Sequence, residues 1–250
     1  MCRRCELVLH RRYFFVGGLM KIDSVATGPY YVNTYIVPLC GNDVFVVDPA
    51  DCLYSEDRFS VVKRLQKKNL NPVAVILTHG HFDHVSGIKD FKSEYPEVPL
   101  LIHRADAAFI GPMSKDLQEK SLAAIPFLNF LSTVTDLPSP DGFLDEGKTL
   151  AALDVFSSCT QGTRDALSEW EIISTPGHTP GSICLYNQVQ KLLISGDTLF
   201  YMAYGRTDLP LGDEAQLTKS IASLHRIVHP DALVYPGHEY YGFPFGENGF

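Results

Sequence analysis

The run THGHFDH, Thr78 to His84, sets three histidines and one aspartate within six positions, directly behind the apolar stretch VAVIL at 73–77. An ordinary loop gains nothing from that crowding, because close imidazoles repel one another once protonated and compete for the same hydrogen-bond partners. A shared cation removes the conflict. In extended backbone, residues two apart point the same way, so His79 and His81 converge on one ion while Gly80 leaves room for close approach. Asp83 and His84 come after the chain has turned toward a helix, and they face a second ion.

Three later segments supply partners. His178 lies between Pro176-Gly177 and Thr179-Pro180, Asp197 closes KLLISGD, and His238 follows Pro236-Gly237 in ALVYPGH. The Pro-Gly pairs read as stiff turns that lower the entropy lost in fixing a ligand. Four apolar strands thus end in a ligand-type residue: His79, His178, Asp197 and His238. The tally is His79, His81 and His178 on one ion, and Asp83, His84 and His238 on the other. Asp197, with two oxygens, bridges them. Nitrogen and oxygen donors without thiolate suit two divalent ions, zinc first, with iron or manganese as alternatives. His225 and His229, four apart near a helix end, read as structural or solvated, as do His103 at a strand end and His10 in the tail.

Working outward, YYVNTYIV and DVFVVD read as strands, a helix is expected from about Glu56 to Asn69, and VAVILT is a strand. A helix then runs from the histidine loop to about Tyr95, and PLLIH is another strand. The second half repeats the logic: WEIIST, a hairpin of SICLY and KLLISGD, a helix from about Asp213 to Val228, and ALVYPGH. Such alternation predicts α/β layering with the site at strand carboxyl ends. Between His103 and Trp170 the pattern loosens, so residues 104–169 read as an insertion. It holds a helix in SKDLQEKSLAAIPFLNFLS, broken at Pro126, and its apolar face serves either packing or substrate specificity.

The 250 residues are expected to form one globular domain over 20–250, preceded by a basic extension at 1–19. That extension, MCRRCELVLHRRYFFVGGL, is interrupted by His10, Arg11 and Arg12 and makes a poor signal-peptide core; Met20 is an alternative start. Its cations, with Lys21, face Glu6 alone, so the rest of the chain is more acidic than the formal net charge of −8 suggests. Such a body repels phosphate backbones and argues against nucleic acid as a partner. The six cysteines are scattered, which points to reduced thiols in a cytoplasm, and no 18-residue apolar span exists to cross a membrane. Oligomeric state is not legible.

The combination THGHFDH, TPGHTPGS, SGDTLF and PGH resembles the metallo-β-lactamase superfamily over nearly everything from Met20 onward. Within it, GPYYVNTYIV, VVDPA, GRTDLP and PGHEY are most similar to the glyoxalase II group, the hydroxyacylglutathione hydrolases. This resemblance implies an αββα sandwich of two mixed β-sheets with helices on the outer faces, and a binuclear site at one sheet edge. It implies hydrolysis of a small-molecule thioester, S-lactoylglutathione or a related compound, by a hydroxide shared between the ions, with Asp83 and Asp197 as catalytic carboxylates. Asp48 matches a position that orients the ligand loop, although an Asp-Pro turn alone also accounts for it. Arg206 and Asp208 match the GRTD motif, either as participants or as a loop-stabilising ion pair. The chain departs from the group after His238: the last 12 residues, EYYGFPFGENGF, carry no Lys or Arg for a glutathione carboxylate. Two alternatives stand beside the hydrolase. Persulfide dioxygenases, which use a single iron and molecular oxygen, also resemble this chain in GRTD and HEYYGF. A non-catalytic metal-stabilised binding protein needs only the ligand set.

Overall fold

The computed structural model describes residues 20–123 and 128–249. The extension at 1–19, with Cys2, Cys5 and His10, and the expected break at Pro126 lie outside the described residues. The first sheet takes its strands in sequence order: β1 (Asp23–Thr27), β2 (Val32–Pro38), β3 (Asp43–Val47), β4 (Asn71–Ile76), β5 (Leu100–Ile102) and β6 (Gly142–Phe143). Its first two pairings are antiparallel and the remaining three parallel. The second half adds β7 (Trp170–Ser174), β8 (Ile183–Asn187), β9 (Leu192–Gly196), the hairpin β10 (Leu199–Phe200) and β11 (Ala203–Tyr204), then β12 (Leu233–Pro236) and β13 (Phe243–Pro244). The second sheet runs β13-β12-β9-β8-β7, with only β12 and β9 parallel.

Side-chain alternation explains the layering. Tyr35, Val37, Phe45, Val47, Ala74 and Ile76 point inward and meet Ile172, Ile183, Leu185, Leu192 and Ile194 of the other sheet. Their neighbours Ile36, Val44, Val46, Val75 and Leu77 point outward, under helices α1 (Ser60–Lys67), α2 (Phe82–Val85), α3 (Ile88–Glu94) and α4 (Lys115–Ala123). A sheet covered on both faces reads as unbroken apolar runs, which is why VAVIL shows no polar alternation. Helix α5 (Gln161–Leu167) packs at the rim of the central layer, and α6 (Glu214–Ile227) covers the outer face of the second sheet through Leu224, against Ile173, Tyr186 and Leu193. The order is helix, sheet, sheet, helix. Trp170, fully buried, meets the Phe45 ring edge-on at 5.4 Å between the sheets, a geometry worth about 1 kcal/mol beyond area burial.

Several expectations are corrected. The helix over Glu56 to Asn69 begins only at Ser60, because Asp57 turns back to accept from the N–H groups of Gly28 and Cys52. The helix toward Tyr95 is two helices, α2 and α3, parted at Gly87, whose N–H donates to Pro49 O and whose Cα lies against Pro49 and Asp51. Strand β1 was not expected at all; it is a five-residue, half-exposed edge. Residues 104–169 are more than an appended insertion. They supply β6 to the first sheet, and Leu144, Leu150, Phe156 and Leu167 to the central core. No helix among the described residues is long and apolar enough to cross a membrane.

Candidate metal centre

Residues from five segments meet where the carboxyl ends of the two sheets converge. His79 and His81 follow β4, Asp83 and His84 lie in the four-residue α2, His178 follows β7, Asp197 follows β9 and His238 follows β12. The ligand atoms of His79, His81 and His178 lie within 4.8 Å of one another, as do those of His79, His84 and Asp197 and those of Asp83, His84 and His238. His178 Nε2 is 2.8 Å from His81 Nδ1 and 3.2 Å from His79 Nε2. Asp197 reaches both halves: Oδ1 is 3.4 Å from His84 Nε2, while Oδ2 lies 3.6 Å from His178 Nε2 and 3.5 Å from His238 Nε2.

The outer nitrogens decide which atoms face inward. His178 Nδ1 donates to Arg206 O at 2.7 Å, His84 Nδ1 to Asp48 Oδ2 at 2.9 Å, and His238 Nδ1 to Tyr30 O at 3.1 Å. A carbonyl or carboxylate only accepts, so each of these Nδ1 atoms carries a proton, and Nε2 is the atom each ring turns to the centre, a bare lone pair once any proton on it is released. Thr78 Oγ1 donates to Asp48 Oδ2 and, at 3.1 Å, accepts from His79 Nδ1, which leaves His79 Nε2 bare as well. Converging lone pairs need a cation. Asp197 Oδ1 is buried without a hydrogen-bond partner, and Gly237 leaves open the space beside it that a Cβ would fill. The donor set therefore fits the two divalent ions expected from the sequence.

The halves differ electrostatically. Burial holds His79 and His81 well below the ordinary imidazole range, with neighbouring imidazoles acting in the same direction, and burial lowers His178 against the pull of Asp197. Burial acts on His84 and His238 too, but Asp197 and Asp83 outweigh it, so His84 stands well above its usual range and His238 is pushed up to about 10. Asp83 and Asp197 are held low: burial alone would raise them, and the cationic rings overcome it. The side chains of His238, Asp83 and Asp197 are 20, 12 and 10% exposed, against none for His84, so the centre opens on that edge.

Asp48 caps the end of β3 with φ +50 and binds Thr78 through N–H and hydroxyl, which ties the histidine run to the sheet. Arg206 reaches the centre through its carbonyl alone. Its guanidinium is occupied by Asp208 in a bidentate pair at 2.6 and 2.7 Å in which both side chains are about half exposed or more. His225 instead faces the Phe245 ring, and neither it nor His229 joins a three-ligand group among the described residues. Sequence reading passed over Asp106 and Gln118, both fully buried against the His79–His81 loop. Neither carried a distinguishing local signal, since Asp106 follows Arg104 in RADAAF and Gln118 lies among the charged residues of KDLQEK.

The family model of the metallo-beta-lactamase superfamily matches residues 27–238. An uncharacterized protein of Aquifex aeolicus (strain VF5) is 30% identical over 220 residues, which cover 88% of this chain and 90% of that one. Hydroxyacylglutathione hydrolase GloC of Haemophilus influenzae is 25% identical over 222 residues, 89% of this chain and 92% of that one. The crystal structure of TTHA1623 in a di-iron-bound form aligns with a TM-score of 0.71 at 26% identity, covering 91% of this chain and 99% of the other.

Proposed function

The chain belongs to the metallo-beta-lactamase superfamily, and from that premise we propose that it is a binuclear metallo-hydrolase cleaving a small acyl thioester of the hydroxyacylglutathione type. In this reading His79, His81 and His178 hold one divalent ion, Asp83, His84 and His238 hold the other, and Asp197 is shared. The carrying observation is the inward convergence of Nε2 lone pairs whose rings are locked by acceptors on their far side. The Haemophilus relative supports the substrate class. Nitrogen and oxygen donors favour zinc, and the di-iron-bound relative makes iron the first rival. The four described cysteines are free thiols, which supports a reducing cytoplasmic setting.

A pair of divalent cations held by these residues would supply Lewis acidity, enough to bring the pKa of water from 15.7 toward about 7. The chain does the rest by placement. Asp48, Tyr30 O and Arg206 O fix the tautomer of three rings, so no ring must reorient during turnover. Substrate enters over the Asp83–Asp197–His238 edge, where the Phe200 ring lies 6.2 Å from that of His238 and offers an apolar wall. A thiol leaving group, with a pKa near 8.5, departs without a protein acid.

The test is thiol release from S-lactoylglutathione and from simpler acyl thioesters, run beside metal analysis and oxygen uptake with a persulfide. The expected result is hydrolysis that tracks two ions per chain. A chain inert toward every thioester that consumes oxygen with a persulfide would sink the hydrolase assignment in favour of a mono-iron dioxygenase.

The two halves are also expected to load differently with pH. Asp197 and Asp83 hold both His84 and His238 in the protonated form at neutral pH in the metal-free chain, His238 up to about 10, and both must lose that proton to bind, whereas burial keeps the three-histidine half neutral. Apparent affinity for the second ion therefore rises with pH, by up to about a hundredfold per pH unit between 6 and 8.5 where both rings release a proton, while the first changes much less. Calorimetric titration in buffers of different ionisation enthalpy reads the released proton directly. A second ion that binds without proton release contradicts the assignment.

A further inference from the structure

Gly80, between His79 and His81, has both main-chain polar groups taken by side chains from a segment that carries no ligand. Its N–H donates to Asp106 Oδ2 at 2.9 Å, and its carbonyl accepts from Gln118 Nε2 at 2.9 Å. The Phe109 side chain lies against its Cα, and the Phe109 ring stands edge-on to His81 at 5.6 Å. Asp106 also reaches the loop of the third histidine. The Gly181 N–H donates to Oδ1 at 2.7 Å, and Thr179 Oγ1 donates to Oδ2 at 2.7 Å. One fully buried carboxylate thus joins two loops whose histidines, His79 and His178, stand 99 residues apart, and which between them carry three imidazoles.

A buried charge is a weak source of net stability, because desolvation offsets most of what its partners return. What hydrogen bonds from two separate loops to one carboxylate do supply is registry, since each is short, directional and shielded from water. The other half of the centre is braced from elsewhere, His84 by Asp48 and His238 by the Tyr30 carbonyl. Resting on the binuclear reading above, we propose that Asp106 is a positioning residue that sets the spacing between the His79–His81 loop and the His178 loop. It thereby governs the three-histidine half of the centre selectively. Gln118 and Phe109 hold the same loop from the other side, so the segment after β5 acts as a clamp on the ligands.

The experiment counts ions. Wild-type chain and variants are loaded with zinc, dialysed against a weak chelator and assayed for bound metal. Wild type retains two ions, and fewer than two overturns the binuclear reading itself. His238→Ala, which disables the other half, retains one. Asp106→Asn, nearly isosteric but uncharged, also retains one, and its three-histidine ion binds about 10- to 100-fold more weakly. The double variant retains none. An Asp106→Asn chain that holds two ions at wild-type affinity, or none, overturns the proposal and leaves the binuclear reading intact; so does a double variant that keeps one. A merely structural role would weaken both halves together. If Asp106→Asn fails to melt cooperatively, Thr179→Val removes one donor and spares the carboxylate. In the His238→Ala background it is expected to weaken the remaining ion several-fold, and unchanged affinity overturns the proposal.

Discussion

Asp197→Ala is expected to fold, to retain less metal than wild type and to lose at least about 10³-fold in kcat/KM on acyl thioesters, or roughly 4 kcal/mol of transition-state stabilisation. The size follows from position. Asp197 lies within 3.6 Å of ligand nitrogens from both halves, through Oδ1 to His84 and Oδ2 to His178 and His238. Its charge also offsets His84 and His238, so without it the carboxylates left beside those two rings are Asp83 and, on the outer side of His84, Asp48. Asp197→Asn keeps the shape and loses the charge, and should fall between, near 10²-fold. Folding is spared because the side chain lies beyond the end of β9, outside the apolar clusters that join the layers. Steady-state kinetics, metal counting and a thermal melt on the same preparations check all three statements. Activity within tenfold of wild type would remove Asp197 from the reaction.

The seven ligand-type residues were legible in the sequence because each sits just past an apolar strand in a short motif whose residue types make sense only together. The α/β layering was legible in the alternation of strands and helices, whereas the two-sheet sandwich was implied by the family resemblance that these motifs carry. What escaped was set by contacts distant in sequence. Strand β6 has two residues, Gly142 and Phe143, too few to show any period. The break at Gly87 depends on the Pro49 carbonyl, 38 positions earlier. Asp106 reads as an ordinary charged residue beside Arg104 in RADAAF, and its role appears only when Gly80, Thr179 and Gly181 close around it. Arg206 invited attention for its guanidinium, yet the carbonyl is what holds His178. A main-chain contribution of that kind leaves no mark on residue identity.

Gly237→Ala should cost nearly as much as the loss of a ligand, at least about 10²-fold in kcat/KM, although glycine contributes no ligand atom. In the sequence, Pro236-Gly237 reads as a stiff turn presenting His238; in the structure the glycine matters for the volume it leaves empty. A Cβ at 237 would sit inside contact distance of Asp197 Oδ1 and 2.7 Å from His84 Cε1. The backbone has no room to withdraw. Gly237 N–H donates to Gly196 O at 2.8 Å, Gly237 O accepts from Asn33 N–H at 2.7 Å, and Pro236 O accepts from Tyr35 Oη at 2.6 Å and Asn33 Nδ2 at 3.1 Å. The methyl group must therefore displace Asp197 and His84 rather than the strand, and the Asp83–His84–His238 half takes the damage. Overpacking of this kind costs about 1 to 3 kcal/mol of stability, small beside the core of both sheets, so the variant should still melt cooperatively. Metal counting then separates two outcomes: one retained ion with activity lost supports the geometry, whereas two ions and wild-type turnover mean that the cluster has slack that the packing around Gly237 denies.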